Sequence, residues 1–492
     1  HLADEGHDVI GAVRHVFGQP FLEEVGDFER QAQQDETGLR DARMGRALQY
    51  AFDLAVVQRG DDGRDHHALA GDIPQSSSPR WSPDGTRLAF IASGEEETAI
   101  IVQDIASGTR IRIATLETGA SGLAWSPDGR RLAWASFVPA PGVDAAALPD
   151  HDPEADWAPG AQIEDRLNFR FDGAGPIPPG SQQLFAADAA GGGVRQLTRG
   201  PVPASGDFAW SHDGRALIFS ADRRPGDDNP APDSELHRLD LTSGAITTLT
   251  SRTGPDATPR PSPDGTRLAW LGFDDHRMGY HNTELYIGDA SGGSPRSLTA
   301  ALDRSVANPQ WGADGTGIYV QYEDHGRTRV ARVSLDGEIE TVAEDLIDPA
   351  FGRPYTGGSY SVSDNDRIAA TAGSPTRPAD IAAGPAGGEM SWLTAVNDDL
   401  LSHRTLSPAE EIVWASPHDA QDVQGWVLYP PGFDPARQYP MILEIHGGPF
   451  SAYGPSFSAE LQLMAAAGYV VVYTNPRGST SYGYDFANLI HH

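Results

Sequence analysis

A single pentapeptide narrows what this chain can fold into more than any other feature. Trp81-Ser-Pro-Asp-Gly85 runs into Thr-Arg-Leu-Ala-Phe90, and Trp125-Ser-Pro-Asp-Gly129 runs into Arg-Arg-Leu-Ala-Trp134. Weaker copies follow at Trp210-Ser-His-Asp-Gly214, Pro261-Ser-Pro-Asp-Gly265 and Trp311-Gly-Ala-Asp-Gly315, with a degenerate Val362-Ser-Asp-Asn-Asp366. The aspartates at 84, 128, 213, 264 and 314 are 44, 85, 51 and 50 residues apart. Each copy reads as strand, tight turn, strand. Proline sets φ early in the turn, and Asp-Gly supplies the conformations a chain reversal needs.

A second signature alternates with the first: an apolar strand, an acidic or glycine-rich turn, and a strand ending in Leu-Thr or its like. It occurs at Asp53–Leu69, Ala99–Leu116, Gln183–Thr198, Glu235–Thr250, Glu284–Thr299, Arg329–Val342 and Asp380–Thr394. Two hairpins per unit make a four-stranded blade, and a period of about 40–50 residues is that of a propeller. Seven outer hairpins predict an all-β seven-bladed β-propeller over residues 51–400. The 85-residue gap predicts an insertion at about 137–182, rich in Pro, Asp and Gly. Residues 1–50 lack an inner hairpin. They carry Val9, Val13, Val16 and Phe17 at helical spacing and stay unassigned, either a helical extension or a segment foreign to the native start.

From about Ser402 the repeat is gone, and residues 401–492 read as the start of an α/β-hydrolase domain. Glu411–Ser416 and Val423–Tyr429 form an antiparallel pair, and Pro440–Ile445 reads as a buried strand ending in His446-Gly-Gly-Pro449. A helix is expected around Ser456–Ala467, stopped by Gly468. Tyr469–Tyr473 is a continuous apolar run of the kind covered on both faces, and it leads into Asn475-Pro-Arg-Gly-Ser479. Strand, helix and strand in this style open a parallel sheet. An unpaired apolar parallel edge is expected there, together with low stability of the segment alone and a natural protein that is longer or completed by another chain.

Composition excludes several functions. The formal charge is −33, which repels nucleic acid and suits cationic or amine-bearing ligands. All 36 basic residues are arginine and there is no cysteine, which removes thiolate catalysis and cysteine metal sites and leaves the compartment open. The longest near-apolar run, Leu461–Tyr473, is 13 residues, too short to span a bilayer. The sequence begins at His1 with no basic-then-apolar leader, as a processed chain or a fragment would. Asp274, Asp275, His276 and His281 lack a compact ligand spacing, so neither a metal nor another cofactor is expected.

Chemistry first surfaces at His446, Gly447 and Gly448. Glycines after a buried strand let backbone N–H groups face a cavity, as an oxyanion hole requires, though a plain tight turn has the same letters. The Trp-Ser-Pro-Asp-Gly propeller, Gly425–Asp434, Tyr439–Pro449 and Asn475–Gly483 together resemble the prolyl oligopeptidase family of serine peptidases, in its acylaminoacyl-peptidase and dipeptidyl-peptidase-like branch. The resemblance covers about residues 51–492. It implies a propeller that admits only short peptides to a hydrolase with a Ser-Asp-His triad, and an oxyanion turn at His446, Gly447 and Gly448 with the Gly448 N–H as donor.

The nucleophile elbow Gly-x-Ser-x-Gly does not occur in the 492 residues. Gly357-Gly-Ser359-Tyr-Ser361 lacks the last glycine, Ser479-Thr-Ser481-Tyr-Gly483 lacks the first, and both read as structural; His491 and His492 precede any serine they could serve. Arg477 either orients substrate or anchors its loop. Glu164, Asp165 and Arg166 in the insertion either bind a peptide amino terminus, as the resemblance suggests, or form a solvated loop. The alternative is a non-catalytic binding propeller similar to the TolB family. Residues 425–483 speak against it, because a pure binding propeller has no use for them.

Overall fold

A computed structural model describes residues 73, 75–94, 97–140, 167, 169–171, 175–204, 207–224 and 233–491. Among these, six four-stranded antiparallel meanders follow one another. The first contains Gln75–Trp81, Arg87–Ser93, Thr98–Asp104 and Arg110–Leu116; the sixth contains Tyr360–Val362, Arg367–Ser374, Arg377–Pro385 and Ser391–Trp392. The ladders of the fifth and sixth join at one pair, Leu346 and Ala372, and an apolar cluster that includes Val330, Val342, Tyr360 and Ile368 packs between the two blades. The innermost strands of successive blades lie side by side from the first blade to the fifth. This is a β-propeller. The expected count of seven blades depends on the hairpin Asp53–Leu69, which lies outside the described residues.

The turn chemistry explains the repeated letters. In the first blade the Ser82 hydroxyl donates to Asp84 Oδ1 at 2.5 Å and accepts from the Arg87 N–H at 2.9 Å. Asp84 also accepts from the Thr86 N–H at 3.1 Å. Gly85 closes the turn at φ +69°, a conformation that costs glycine nothing. The Ser126–Asp128, Ser211–Asp213 and Ser262–Asp264 pairs repeat the contact, each at 2.6 Å. Donors converging on the carboxylate hold Asp84 and Asp264 down to about 2, the serine hydroxyl first among them.

Tryptophan and arginine join blade to blade. The Trp125, Trp210 and Trp311 indoles donate to Arg80, Ala124 and Arg260 carbonyls of the preceding blade at 2.9, 3.2 and 2.8 Å. In return, Arg87 lies over the Trp125 ring and Arg131 over the Trp210 ring, each at 4.8 Å. The same guanidinium groups donate to the Gly129 and Gly214 carbonyls at 2.7 Å. Where the arginine is missing, at Ala216 and Gly317, the next blade lacks the tryptophan and has Pro261 or Val362. Apolar clusters fill the spaces between neighbours, such as Ile100, Val102, Leu123 and Trp134 between the first two blades.

In the second blade, Arg131–Pro139 pairs with Gly180–Asp188 out to Pro139 and Gly180. The insertion therefore leaves between the second and third strands, at the end of an extended hairpin.

The α/β sheet has the order Ala409–Ala415, Asp422–Leu428, Val470–Asn475, Met441–Ile445. Only the last pair is parallel. The connecting helix, Ala459–Ala466, starts three residues later than expected: Phe457 packs edge-on against Phe351 of the propeller and Ser458 is the cap. Gly468 ends it at φ +98°. Val471 and Tyr473 are fully buried, whereas the strand ending at Ile445, expected to be buried, is the unpaired parallel edge: with no neighbour on its open side among the described residues, Met441, Leu443 and Ile445 are 63%, 51% and 60% exposed.

Between the third and fourth blades, Asp256 is fully buried and accepts from Arg252 at 2.9 Å and from the Trp270 indole at 2.9 Å. Burial, aided by the neighbouring Asp256 charge, pushes the nearby Glu235 from 4.5 up to about 7. Folded protein thus holds a proton that unfolded chain releases between those values, and this part of the stability is lost as pH rises from 4.5 to about 7. Burial lowers His237 and His281, which act in the opposite sense, so the glutamate is isolated by difference. The stability advantage of the parent over Glu235→Gln is expected to shrink across that range in thermal melts; a constant difference would mean an unperturbed glutamate.

Replacing Arg131 with Met is expected to cost about 1–2 kcal/mol in urea unfolding, from the lost ring contact and carbonyl bond. Arg130→Met, at an exposed neighbouring position, should stay within about 0.5 kcal/mol.

Candidate active site

The His446–Pro449 turn stands at the end of the edge strand, and its Gly448–Pro449 bond is cis. Gly448 has φ +144°, and a Cβ there would come within 2.9 Å of the Phe450 nitrogen; a Cβ on Gly447 would meet nothing within 4 Å. Only the second glycine is obligatory.

Each polar group of the turn can be traced. His446 is buried, with Nε2 at 2.8 Å from Ser479 Oγ and Nδ1 at 2.8 Å from the Gly447 carbonyl. Ser479 donates onward to the Pro476 carbonyl at 2.6 Å. The Gly447 N–H donates to the Tyr355 hydroxyl at 3.3 Å. Among the described residues, the Gly448 N–H meets no acceptor. Because a peptide unit is planar and trans, that N–H points opposite to the Gly447 carbonyl which the His446 ring contacts. The histidine therefore orients the peptide unit while its own nitrogens are occupied.

The loop Asn475-Pro-Arg-Gly-Ser479 holds both the turn and the chain that follows it. Ser479 fixes His446, and Asn475 accepts from the Tyr453 N–H at 2.7 Å and donates to the Tyr453 carbonyl at 2.8 Å. Arg477 points elsewhere and ion-pairs with Asp419 at 2.9 Å, an anchoring contact. Glu164, Asp165 and Arg166 lie outside the described residues. Ser481, the other serine of the loop, accepts from the Gly326 N–H at 2.8 Å. Of the acidic and histidine group, Asp274 bonds Arg252 at 2.9 Å, and His281 stacks on Phe273 while accepting from the His276 N–H at 2.9 Å.

Several contributors have no local sequence signal. The segment between the fifth and sixth blades reaches into the α/β part. The Phe351 carbonyl accepts from the Ala459 N–H at 2.8 Å, and the Gly352 carbonyl from Ser458 Oγ at 2.5 Å. Arg353 ion-pairs with Glu444 and, at 3.2 Å, with Glu460. Tyr355 forms a β-bridge with Tyr453, flanked by Gly454 N–H to Pro354 O at 2.8 Å and Thr356 N–H to Ala452 O at 2.9 Å. Beyond Phe450 lies a cavity of about 370 Å³ whose lining includes Tyr280, Arg304, Gln321, Glu323 and Thr480. Burial holds the Glu323 carboxyl above the usual glutamate range, and its near partner is the Thr480 hydroxyl at 3.4 Å.

Comparison with known proteins finds likenesses in one family. The model of the prolyl oligopeptidase family matches residues 455–492. The chain is similar to the uncharacterized peptidase YuxL of Bacillus subtilis, 31% identical over 436 residues, which are 85% of this chain and 64% of that protein. It is similar to dipeptidyl-peptidase 5 of Porphyromonas gingivalis, 30% identical over 285 residues, 56% of this chain and 40% of the relative. Among solved structures, the Pyrococcus horikoshii acylaminoacyl peptidase superposes with a TM-score of 0.67 at 23% identity, covering 84% of this chain and 59% of that one. The chain thus spans less than two thirds of the length of these relatives. With a propeller leading into a hydrolase-type sheet and its glycine turn, the chain is similar to members of the prolyl oligopeptidase family, whose model matches its residues 455–492.

Proposed function

We propose that this chain is the propeller, residues 51–400, and the leading hydrolase segment, residues 401–492, of a serine peptidase that cleaves short peptides through an acyl-enzyme. The observation that carries the reading is the Gly448 N–H, oriented by its neighbours and left without an acceptor at the end of a parallel strand. A substrate carbonyl placed there would receive that hydrogen bond as its oxygen becomes negative, and a fixed donor costs no reorganisation at that moment. The peptidase and dipeptidyl-peptidase names of the relatives, and an acylaminoacyl peptidase solved in complex with Z-Gly-Gly-Phe-chloromethyl ketone, support peptides as substrates. The propeller, packed against the turn through residues 351–356, would limit substrate size. The serine that attacks and the Asp-His pair that activates it are expected beyond residue 492.

Reading the gene in frame past codon 492 is expected to reach Gly-x-Ser-x-Gly, then Asp and His. The product should react with a fluorophosphonate and release arylamine from short-peptide anilides. A stop codon there, or a product inert to both reagents, would remove the peptidase reading and leave a binding propeller.

In that product, Gly448→Ala keeps the backbone N–H, but its methyl group would strike the Phe450 nitrogen and turn the donor away, so kcat should fall toward the loss of about 100- to 1000-fold that follows loss of one oxyanion donor. Gly447→Ala, which has room for its methyl group, should stay within about three-fold. Equal effects of the two substitutions would show that the donor lies elsewhere.

A further inference from the structure

We infer that Tyr355, a propeller residue, is a positioning residue for the oxyanion turn: its hydroxyl takes the Gly447 N–H and so leaves the Gly448 N–H as the open donor. The turn contains two consecutive peptide units whose rotation decides where the donor points. The second unit, carrying the Gly447 carbonyl and the Gly448 N–H, is set by His446 Nδ1 at 2.8 Å. The first, carrying the Gly447 N–H, is set by Tyr355 at 3.3 Å. Neither glycine has a side chain to restrain it, so without the tyrosine the first unit can rotate, and it carries the second with it.

The tyrosine is itself firmly held. Its backbone forms the bridge to Tyr453, and its ring lies 4.8 Å from the Tyr453 ring and 6.4 Å from the His446 ring. Arg353, two residues before it, is tied to Glu444 in the strand that leads into the turn. A hydroxyl mounted on the propeller thus reaches the turn from a support fixed at both ends. The catalytic consequence rests on the peptidase reading; the placement of the turn does not.

The sequence permits a direct test. Only two His-Gly steps occur in it, His325-Gly326 and His446-Gly447. Labelling histidine carbonyls with ¹³C and glycine nitrogens with ¹⁵N therefore selects two amides in a carbonyl-filtered NMR spectrum. Gly326, buried and bonded to Ser481 Oγ at 2.8 Å, is the internal reference for folding. In this chain, Tyr355→Phe should speed Gly447 amide exchange about three- to ten-fold, the scale of one lost hydrogen bond, and leave Gly326 unchanged. If Gly447 exchanges at the parent rate beside an unchanged Gly326, the inference is overturned. Should the variant disturb Gly326 as well, the unsubstituted chain decides: a Gly447 shift whose temperature dependence is that of a solvent-bonded amide overturns it equally, and a weaker dependence upholds it.

In the product that contains the nucleophile, Tyr355→Phe should lower kcat about three- to ten-fold with KM within about two-fold. A normal kcat would overturn the catalytic role. A parent protein with no peptidase activity would count against the peptidase reading, while the exchange result would still decide the placement of Gly447.

Discussion

A blade with two apolar faces cannot stand alone, and the rest of this molecule follows from how its neighbours cover it. Each four-stranded sheet buries residues such as Leu132, Ala133, Trp134 and Ala135 in immediate succession, so both faces need a partner. The arginine that begins the second strand and the tryptophan that precedes the next turn fix the spacing. At Arg87 with Trp125 and Arg131 with Trp210, one cation covers one ring and bonds the carbonyl of the turn behind it. The joint loses both members together at Ala216 with Pro261 and at Gly317 with Val362, the behaviour of a two-residue contact. At Gly317 the space is taken by Arg332, whose guanidinium a Cβ would strike.

The α/β part depends on the propeller in a similar way. Its edge strand has no neighbour on the open side among the described residues, and its glycine turn is exposed. Order comes from the segment between the fifth and sixth blades, which caps the helix at Ser458, pairs with residues 452–454 and engages Glu444. The asparagine and serine of Asn475–Ser479 complete the support from the opposite side. The donor in the turn is thus the meeting point of three segments far apart in sequence.

The legibility of these features tracked how local their causes were. The Ser-x-Asp-Gly turns could be read directly, because hydroxyl, carboxylate and glycine act within five residues of one another. The strand ending at Ile445 and the strand from Val470 were legible from their runs of β-branched and aliphatic side chains. Tyr355 was not, since Pro354-Tyr-Thr-Gly reads as an ordinary linker and its partner Gly447 is 92 residues away. Glu323 gives no signal in Tyr322-Glu-Asp-His325, because the hydroxyls it faces, those of Thr356 and Thr480, come from distant segments. The helix starts later than its letters suggest for the same reason: Phe457 belongs to a contact with Phe351 that no local pattern announces.

The strut formed by residues 351–356 also sets the terms on which this architecture can be recombined. A chimera that exchanged propellers at the linker near residue 400 would keep both chain segments intact yet discard the carbonyls that receive Ser458 and Ala459, the arginine facing Glu444 and the hydroxyl facing Gly447. The transferable unit is therefore discontinuous: the α/β segment together with one inter-blade loop from the propeller. A substitution at 351–356 that removes one of these groups leaves its partner at 444–460 unmet.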